Sequence, residues 1–519
     1  MPTANRINWS ATGVPGGIPL RTIISASLNP GASAAQIQSA LNNCPNGQVV
    51  FLNAGTYSLS SALRITNNGV TLRGAVDANP VPTTVLNFAS SAGGWGLIDI
   101  SNTGYPANNW ANVSSRNALS GLSAGSTSVT LNSAPTGLQV NQMLTFDQIS
   151  DENLVWDYGS EGGPGGSDVG RNGNRTLVQF VRVTSISGNT VNFSPAIFSS
   201  FWKASQSPQA YWSGSGTSQV VYQSGIENLK VNRTIGGGGT NNLSMGPADS
   251  CWIKNVYSTQ CKAAHAKLGF TINCEVRDSY FKLMDSVGSA AYCVWIIDSS
   301  SDKVENNIMH NSPCALGLQC VSGSAVDYNY GTLFPYTQSN WLPECMMTHG
   351  GHCDHNLFEG NFVPSFWMDW IHGNASFNSY VRNRVTGWES GKTDSTRCIN
   401  IQENQWNLAI LGNVLGTAGY HNTYLNTTGH NYFTIFDLIS SYSAESLLIA
   451  GNYNTVNSAV PASESLGSKT VALSYMYTSK PAWFGNLPWP SVDPLNPQAA
   501  VPGNLPAGYR YQFGRTPGS

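Results

Sequence analysis

The chain has 519 residues, with 25 Lys and Arg against 28 Asp and Glu, a net charge of −3 and only 10% charged side chains. That balance gives no electrostatic footprint for nucleic acid or an anionic membrane, and no apolar run of about 18 residues is present to span a bilayer. Gly, Trp and Tyr are abundant at 53, 15 and 21 copies, and the length suits one long β architecture with an insertion.

Met1 to Ser10 lacks the basic and apolar regions of a signal peptide. Low lysine content and Asn-x-Ser/Thr triplets at Asn112, Asn232, Asn374 and Asn426 suit an exported chain. A secreted or periplasmic protein is therefore expected, with any signal peptide absent from this sequence. Ala34 to Leu41 then reads as one short amphipathic helix, followed by the strand-like Val49 to Leu52, the turn Gly55-Thr56-Tyr57 and a second strand, Val70 to Gly74. This order resembles the opening of pectate-lyase-like β-helix proteins, over roughly Ala34 to Val456. The resemblance implies an all-β, right-handed parallel β-helix with an N-terminal helix covering its first coil. It implies no single activity, because that scaffold carries lyases, hydrolases, epimerases and phage tailspikes. Neither the paired-Asp motif of polygalacturonase-like hydrolases nor the Arg-centred motifs of pectate lyases occurs in this chain.

From about Leu119 to Ile197 the rhythm changes to hairpin-like strands, giving an inserted β subdomain over 119–200 between first coils at 1–118 and main coils at 201–460. Its Gly-rich segment Asp151 to Arg175 reads as a surface loop or a lid over a groove. Between Ile226 and Asn452 one phrase recurs nine times: an apolar residue, one to three residues, then Asn or Asp. Successive Asn or Asp positions lie 22 to 39 residues apart, the spacing of a solenoid whose loops swell outward. Asn suits the bend because it tolerates left-handed backbone and can bond to its counterpart in the next coil. Beyond the last copy, 461–519 is Pro-rich and is expected to run extended along the solenoid.

Cys251 and Cys274 share an offset of four residues before Asn255 and Asp278, so a stacked ladder or a disulfide is expected there. No Cys-x-x-Cys pair supports structural zinc. Candidate chemistry comes from registering the coils on Asn and moving about ten residues upstream, onto Asp298, Gln319, His349 with His352, Asp369 with His372, and Asn400, Gln402 and Glu403. Alternation in Asp369-Trp370-Ile371-His372 allows these to share an outer face. Between Glu344 and His355 the Gly350-Gly351 break argues against a chelate, so no metal ligand is assigned. His352 and His355 also fit as structural bonds between coils, and Glu359 as a partner of Arg382 or Arg384. A carboxyl beside Trp367 and Trp370 should titrate high and could donate a proton. Trp156, Trp202, Trp212, Trp341 and Trp370 are read as a sugar-stacking platform, with Gln319, Asn400 and Gln402 as polar contacts.

These residues lead to an expected carbohydrate-active enzyme. The first reading is a glycoside hydrolase on a largely neutral polysaccharide, using a carboxylate pair drawn from Asp298, Asp369, Glu403 and Glu344 with His349 and His372 nearby. Two alternatives stay open: a polysaccharide lyase acting on a uronate polymer by β-elimination, and a non-catalytic glycan-binding β-helix. No cofactor is expected, with calcium entering only for a lyase. The expected partner is a polysaccharide or oligosaccharide, and the chain is expected to be a monomer.

Overall fold

A phrase of apolar residue, short spacer and Asn gives a strand and a left-handed bend, and repetition stacks strand on strand. The computed structural model describes residues 1–102, 113–155, 170–213, 220–236, 240–288, 291–428, 433–438, 446–467, 469–514 and 517. Among these residues the coils form one sheet of 21 strands and one of 14, in a right-handed parallel β-helix. Val50, Leu72, Ile226, Ile253, Val276, Val304, Val326, Phe358, Tyr380, Ile410 and Ile449 make one inward column in unbroken parallel register. Phe358 and Tyr380 in that column stack with ring centroids 4.7 Å apart. Inward β-branched and aromatic residues thus supply the continuous core that no single coil could bury.

The nine Asn or Asp copies fall on two adjacent rows. Asn228, Asn255, Asp278 and Asn306 occupy the left-handed bend itself, with φ between 53° and 59°. In later coils that position belongs to Tyr328, Gly360, Arg382, Gly412 and Gly451, and the Asn has moved one residue on. There Asn307, Asn329, Asn361, Asn383, Asn413 and Asn452 form a buried ladder, each side-chain oxygen accepting from the amide of the coil before it at 2.8 to 3.0 Å. The cysteines stack without bonding covalently: Cys251 N donates to Cys274 Sγ at 3.4 Å, and the ten buried cysteines form no disulfide.

The helix Ala34–Asn42 covers the first coil with Ala34, Ile37 and Leu41. Its start is fixed by a capping box, Ser33 accepting from Gln36 N while Ser33 N donates to Gln36 Oε1 at 2.8 Å. The insertion is wider than its turn signals imply. Its closed antiparallel barrel runs from Val113–Ser120 to Gln209–Ser213 around Val129, Leu144, Phe146, Val181 and Phe193. It docks through Phe180 on Phe270 and Ile272 and through an Arg182–Asp249 ion pair.

Both flanking segments lie along the solenoid. Ala4 O accepts from His355 Nε2 at 3.0 Å, and Gly13 N donates to Ser301 O at 2.9 Å. In the tail, Tyr475 N donates to Glu359 Oε2 at 2.6 Å, and Arg510 Nη1 donates to Asp278 O at 2.7 Å. Glu359 therefore anchors the tail directly, where a pairing with Arg382 or Arg384 was expected. Arg382 instead donates to the carbonyls of Val471, Ala472 and Val492.

One buried acid gives the solenoid a pH dependence. Burial raises the Asp302 carboxyl to about 7, against the lowering effect of bonds from Thr271 Oγ1 at 2.6 Å and Cys274 N at 2.8 Å. A folded value above the unfolded ~3.9 means the native chain binds this proton more tightly. Its stabilisation is complete below the unfolded value and is lost as pH rises through about 7. Unfolding midpoints should fall between pH 5 and pH 8, by up to ~1.4 kcal/mol per pH unit from this group, and Asp302→Asn should flatten that slope. Equal slopes in the two proteins would remove Asp302 as the cause.

Candidate active site

The outer face of the 14-stranded sheet carries two rows of side chains. Lys267, Trp295, Gly317, Met347, Trp367, Asn400 and Asp437 are in direct register on successive strands. Two residues further along come Ile297, Gln319, His349, Asp369 and Gln402. Their stacking continues past the strand ends through His349 N to Leu318 O at 2.7 Å, Asp369 N to Thr348 O at 3.1 Å and Gln402 N to Met368 O at 3.0 Å. Period-two alternation puts both rows outside while Leu318, Met346, Met368 and Ile401 fill the core.

Asp369 is the hub. Its Oδ2 accepts from His372 Nδ1 at 2.5 Å and lies 2.6 Å from His349 Nδ1, the latter outside ideal hydrogen-bond direction. Oδ1 accepts from Ile371 N at 2.7 Å. The residue is 0% exposed. Burial raises its carboxyl, but the contacts from His349 and His372 outweigh that and hold it below the usual carboxylate range. The expected high-titrating acid beside Trp367 and Trp370 is thus reversed, because the two imidazoles outweigh the desolvation that burial imposes on the carboxylate. The imidazoles lie 3.9 Å apart by ring centroid, with side chains 14% and 25% exposed. Both Nδ1 atoms turn inward to one oxygen of Asp369.

His349, Asp369 and His372 could also offer one ligand atom each to a metal. Around tetrahedral zinc with bonds of ~2.1 Å, ligand atoms sit about 3.4 Å apart. The observed 2.5 and 2.6 Å contacts are shorter than that spacing, so a metal would require the carboxylate to swing away.

The sheet face around this hub is aromatic and polar. Trp295 Nε1 donates to Gln319 Oε1 at 2.8 Å, and the Lys267 ammonium lies 3.4 Å from the Trp295 ring centroid and 4.5 Å from that of Trp95. The His349 ring stands 5.7 Å from Trp367. Among the described residues Asn400, 3% exposed, has neither amide atom bonded, and Trp367 Nε1 has no partner. Buried polar atoms of this kind ask for a ligand or water. Gln402 Oε1 accepts from Trp370 N at 3.2 Å.

Glu344 lies 3.6 Å from Arg397 Nη2, and Arg397 Nη1 donates to Asp437 at 2.6 Å. Burial raises the Glu344 carboxyl, Arg397 draws it down, and Asp369 adds to the rise; the net direction is upward. Glu403 is half-buried in the turn after Ile399–Ile401, with no side-chain bond to the His pair among the described residues. Asp298 does not join the hub. The row position in its coil is Ile297, while Asp298 takes a left-handed φ of 43° and lies within electrostatic reach of Tyr211 in the inserted barrel.

The aromatic platform resolves differently from the expectation. Trp212 belongs to the barrel core and Trp202 packs against it, so neither joins the register rows of the sheet face, which hold Trp295 and Trp367. Trp341 is half-buried beside Tyr336 at 6.4 Å, and Trp370 is half-buried next to Asp369. Trp156 and most of its Gly-rich loop lie outside the described residues. Trp95 and Trp295 were not singled out from the sequence; reading two positions upstream of the Gln319 row would have found Trp295. His352 meets Ser376 Oγ at 3.2 Å and Phe201 at 5.7 Å, and His355 bonds Asp354 at 2.7 Å, so both serve packing.

No family model and no curated protein matches the chain. Among solved structures it is similar to the tailspike protein of Pseudomonas phage LKA1, at 14% identity and TM-score 0.46 over 80% of this chain and 69% of that one. It is similar to the tailspike of Pseudomonas phage phi297 at 12% identity and TM-score 0.48, covering 81% and 73%. An alginate lyase from Paenibacillus sp. str. FPU-7 aligns at 10% identity and TM-score 0.38, covering 75% and 95%. Similarity at this level is one of chain path.

Proposed function

We propose that the protein cleaves a polysaccharide lying along the outer face of the 14-stranded sheet, by proton transfer at the His349–His372 pair. The observation that carries this reading is the single Asp369 oxygen facing both Nδ1 atoms. One carboxylate compensates one imidazolium, and two adjacent cationic rings would repel strongly. In this reading one ring serves as base while the other, protonated, serves as acid. Asp369 itself is a positioning residue, since both its oxygens are occupied and it is closed to solvent.

This arrangement fits β-elimination better than the carboxylate-pair hydrolysis expected from sequence. One imidazole takes the proton at C5 of a uronate, the C4–O bond breaks, the C4=C5 double bond forms, and the other ring, protonated, gives its proton to the departing oxygen. Calcium against the uronate carboxylate remains part of this proposal. Hydrolysis is the second reading, supported by the upward-shifted Glu344 as a proton donor.

Digestion of pectate, alginate and glucuronan beside neutral glucans, mannans and xylans, with and without a chelator, separates the two. Ultraviolet absorbance of unsaturated uronates is the expected result. Reducing ends on a neutral polymer without that absorbance would establish hydrolysis, and silence on every polymer would leave glycan binding.

A further inference from the structure

A second concavity lies at the bends of the 21-stranded sheet, apart from the sheet that bears the His pair. Its volume is ≈ 450 Å³, within the ~300–1,000 Å³ typical of small-molecule sites. Asn228, Asn255, Asp278 and Asn306 form the floor, and the tail supplies Trp483 and Arg510 as a wall.

Two buried polar atoms of this lining have no partner among the described residues. Arg510 is 8% exposed; its two terminal nitrogens donate to the carbonyls of Asp278 and Asn306, and its Nε donates to nothing. Asn306 is 5% exposed; its Nδ2 donates to Asp278 Oδ1 at 2.7 Å, which fixes the amide orientation and leaves Oδ1 without a donor. A buried donor and a buried acceptor on contacting residues call for one group that both accepts and donates, which is what a hydroxyl does. Trp483 and Tyr257 add half-buried rings to the lining, the apolar faces on which a sugar ring stacks. Lys254 adds a cation engaged in no ion pair among the described residues.

We propose that this pocket is a second glycan-binding site that takes an acidic sugar. The ring lies on Trp483, a hydroxyl bridges Arg510 Nε and Asn306 Oδ1, and the carboxylate faces Lys254. The site is independent of the reaction at the His pair. It would hold one part of a polymer on one side of the solenoid while another part occupies the groove, raising local substrate concentration.

The test is calorimetric titration of the full chain carrying His349→Ala, which prevents cleavage, with digalacturonate and dimannuronate beside cellobiose and xylobiose. Uronate binding should weaken at least about tenfold, or ~1.4 kcal/mol, on Lys254→Ala. It should weaken similarly on Asn79→Trp, which obstructs the mouth from an exposed rim position. Binding unchanged by both variants, or no binding of any disaccharide, overturns the site. Neutral disaccharides bound as tightly as the uronates overturn the acidic-sugar assignment. Neither variant should alter turnover of short substrates in the wild-type background, so failure of the cleavage reading leaves this result separately legible.

Discussion

His349→Ala and His372→Ala should each lower turnover by ~10²–10⁴-fold, the range for loss of a positioned general acid or base, with the unfolding midpoint nearly unchanged. Each ring is partly exposed and packs outside the solenoid core, so truncation opens no internal cavity. Asp369→Asn should be as severe for a different reason. An amide cannot compensate an imidazolium, and its NH₂ would confront Nδ1–H groups that now meet an acceptor. The measurement is initial rate on whichever polymer the digestion panel identifies, beside thermal unfolding of the same preparations. Full activity in either His variant would sink the proton-transfer reading. Loss of folding in all three would return the cluster to a structural role.

The second large effect concerns the Asn ladder. Asn361→Leu should destabilise the protein by roughly 4 kcal/mol or more, since buried groups left unmatched cost ~1–3 kcal/mol each. Asn361 Oδ1 accepts from both Asn329 N and Asn329 Nδ2 at 3.0 Å, and its Nδ2 donates to Val326 O at 2.8 Å and Asn383 Oδ1 at 3.0 Å. Leucine keeps the branched shape and removes all four bonds, leaving Asn329 N and Val326 O of the preceding coil without this partner, while Asn329 Nδ2 keeps Val304 O and Asn383 Oδ1 keeps Asn361 N. Denaturant midpoints would measure this. A loss below about 1 kcal/mol would show that relaxation or water replaces the side chain.

The solenoid was legible because its signal is repeated: a misjudged coil is corrected by its neighbours. The bend row was nevertheless displaced by one residue after Asn306, since Asn occupies the left-handed position in early coils and the following position in later ones. His349, Asp369 and His372 could be brought together by register alone, because parallel stacking turns sequence offset into spatial proximity. Their division of labour could not, since it depends on two Nδ1 atoms choosing one oxygen. Trp212 and Trp202 misled for a related reason: inserted aromatics look like surface features until the insertion is seen to need a core of its own. Asp298 shows the limit of register at a strand end, where one left-handed residue turns the side chain toward the barrel.

The two flanking segments change how the molecule should come apart. A bare solenoid is a chain of nearest-neighbour contacts, free to fray coil by coil from either end. Here residues 4–21 touch coils from Asn407 down to Thr71, and the tail reaches from Gly451 back to Asp278. Each strap ties distant coils together, so an end coil cannot open without releasing contacts several coils away. Unfolding should therefore lose its one-dimensional character and approach a single cooperative step, with amide exchange in the outermost coils of the strapped span slowed toward that of the middle.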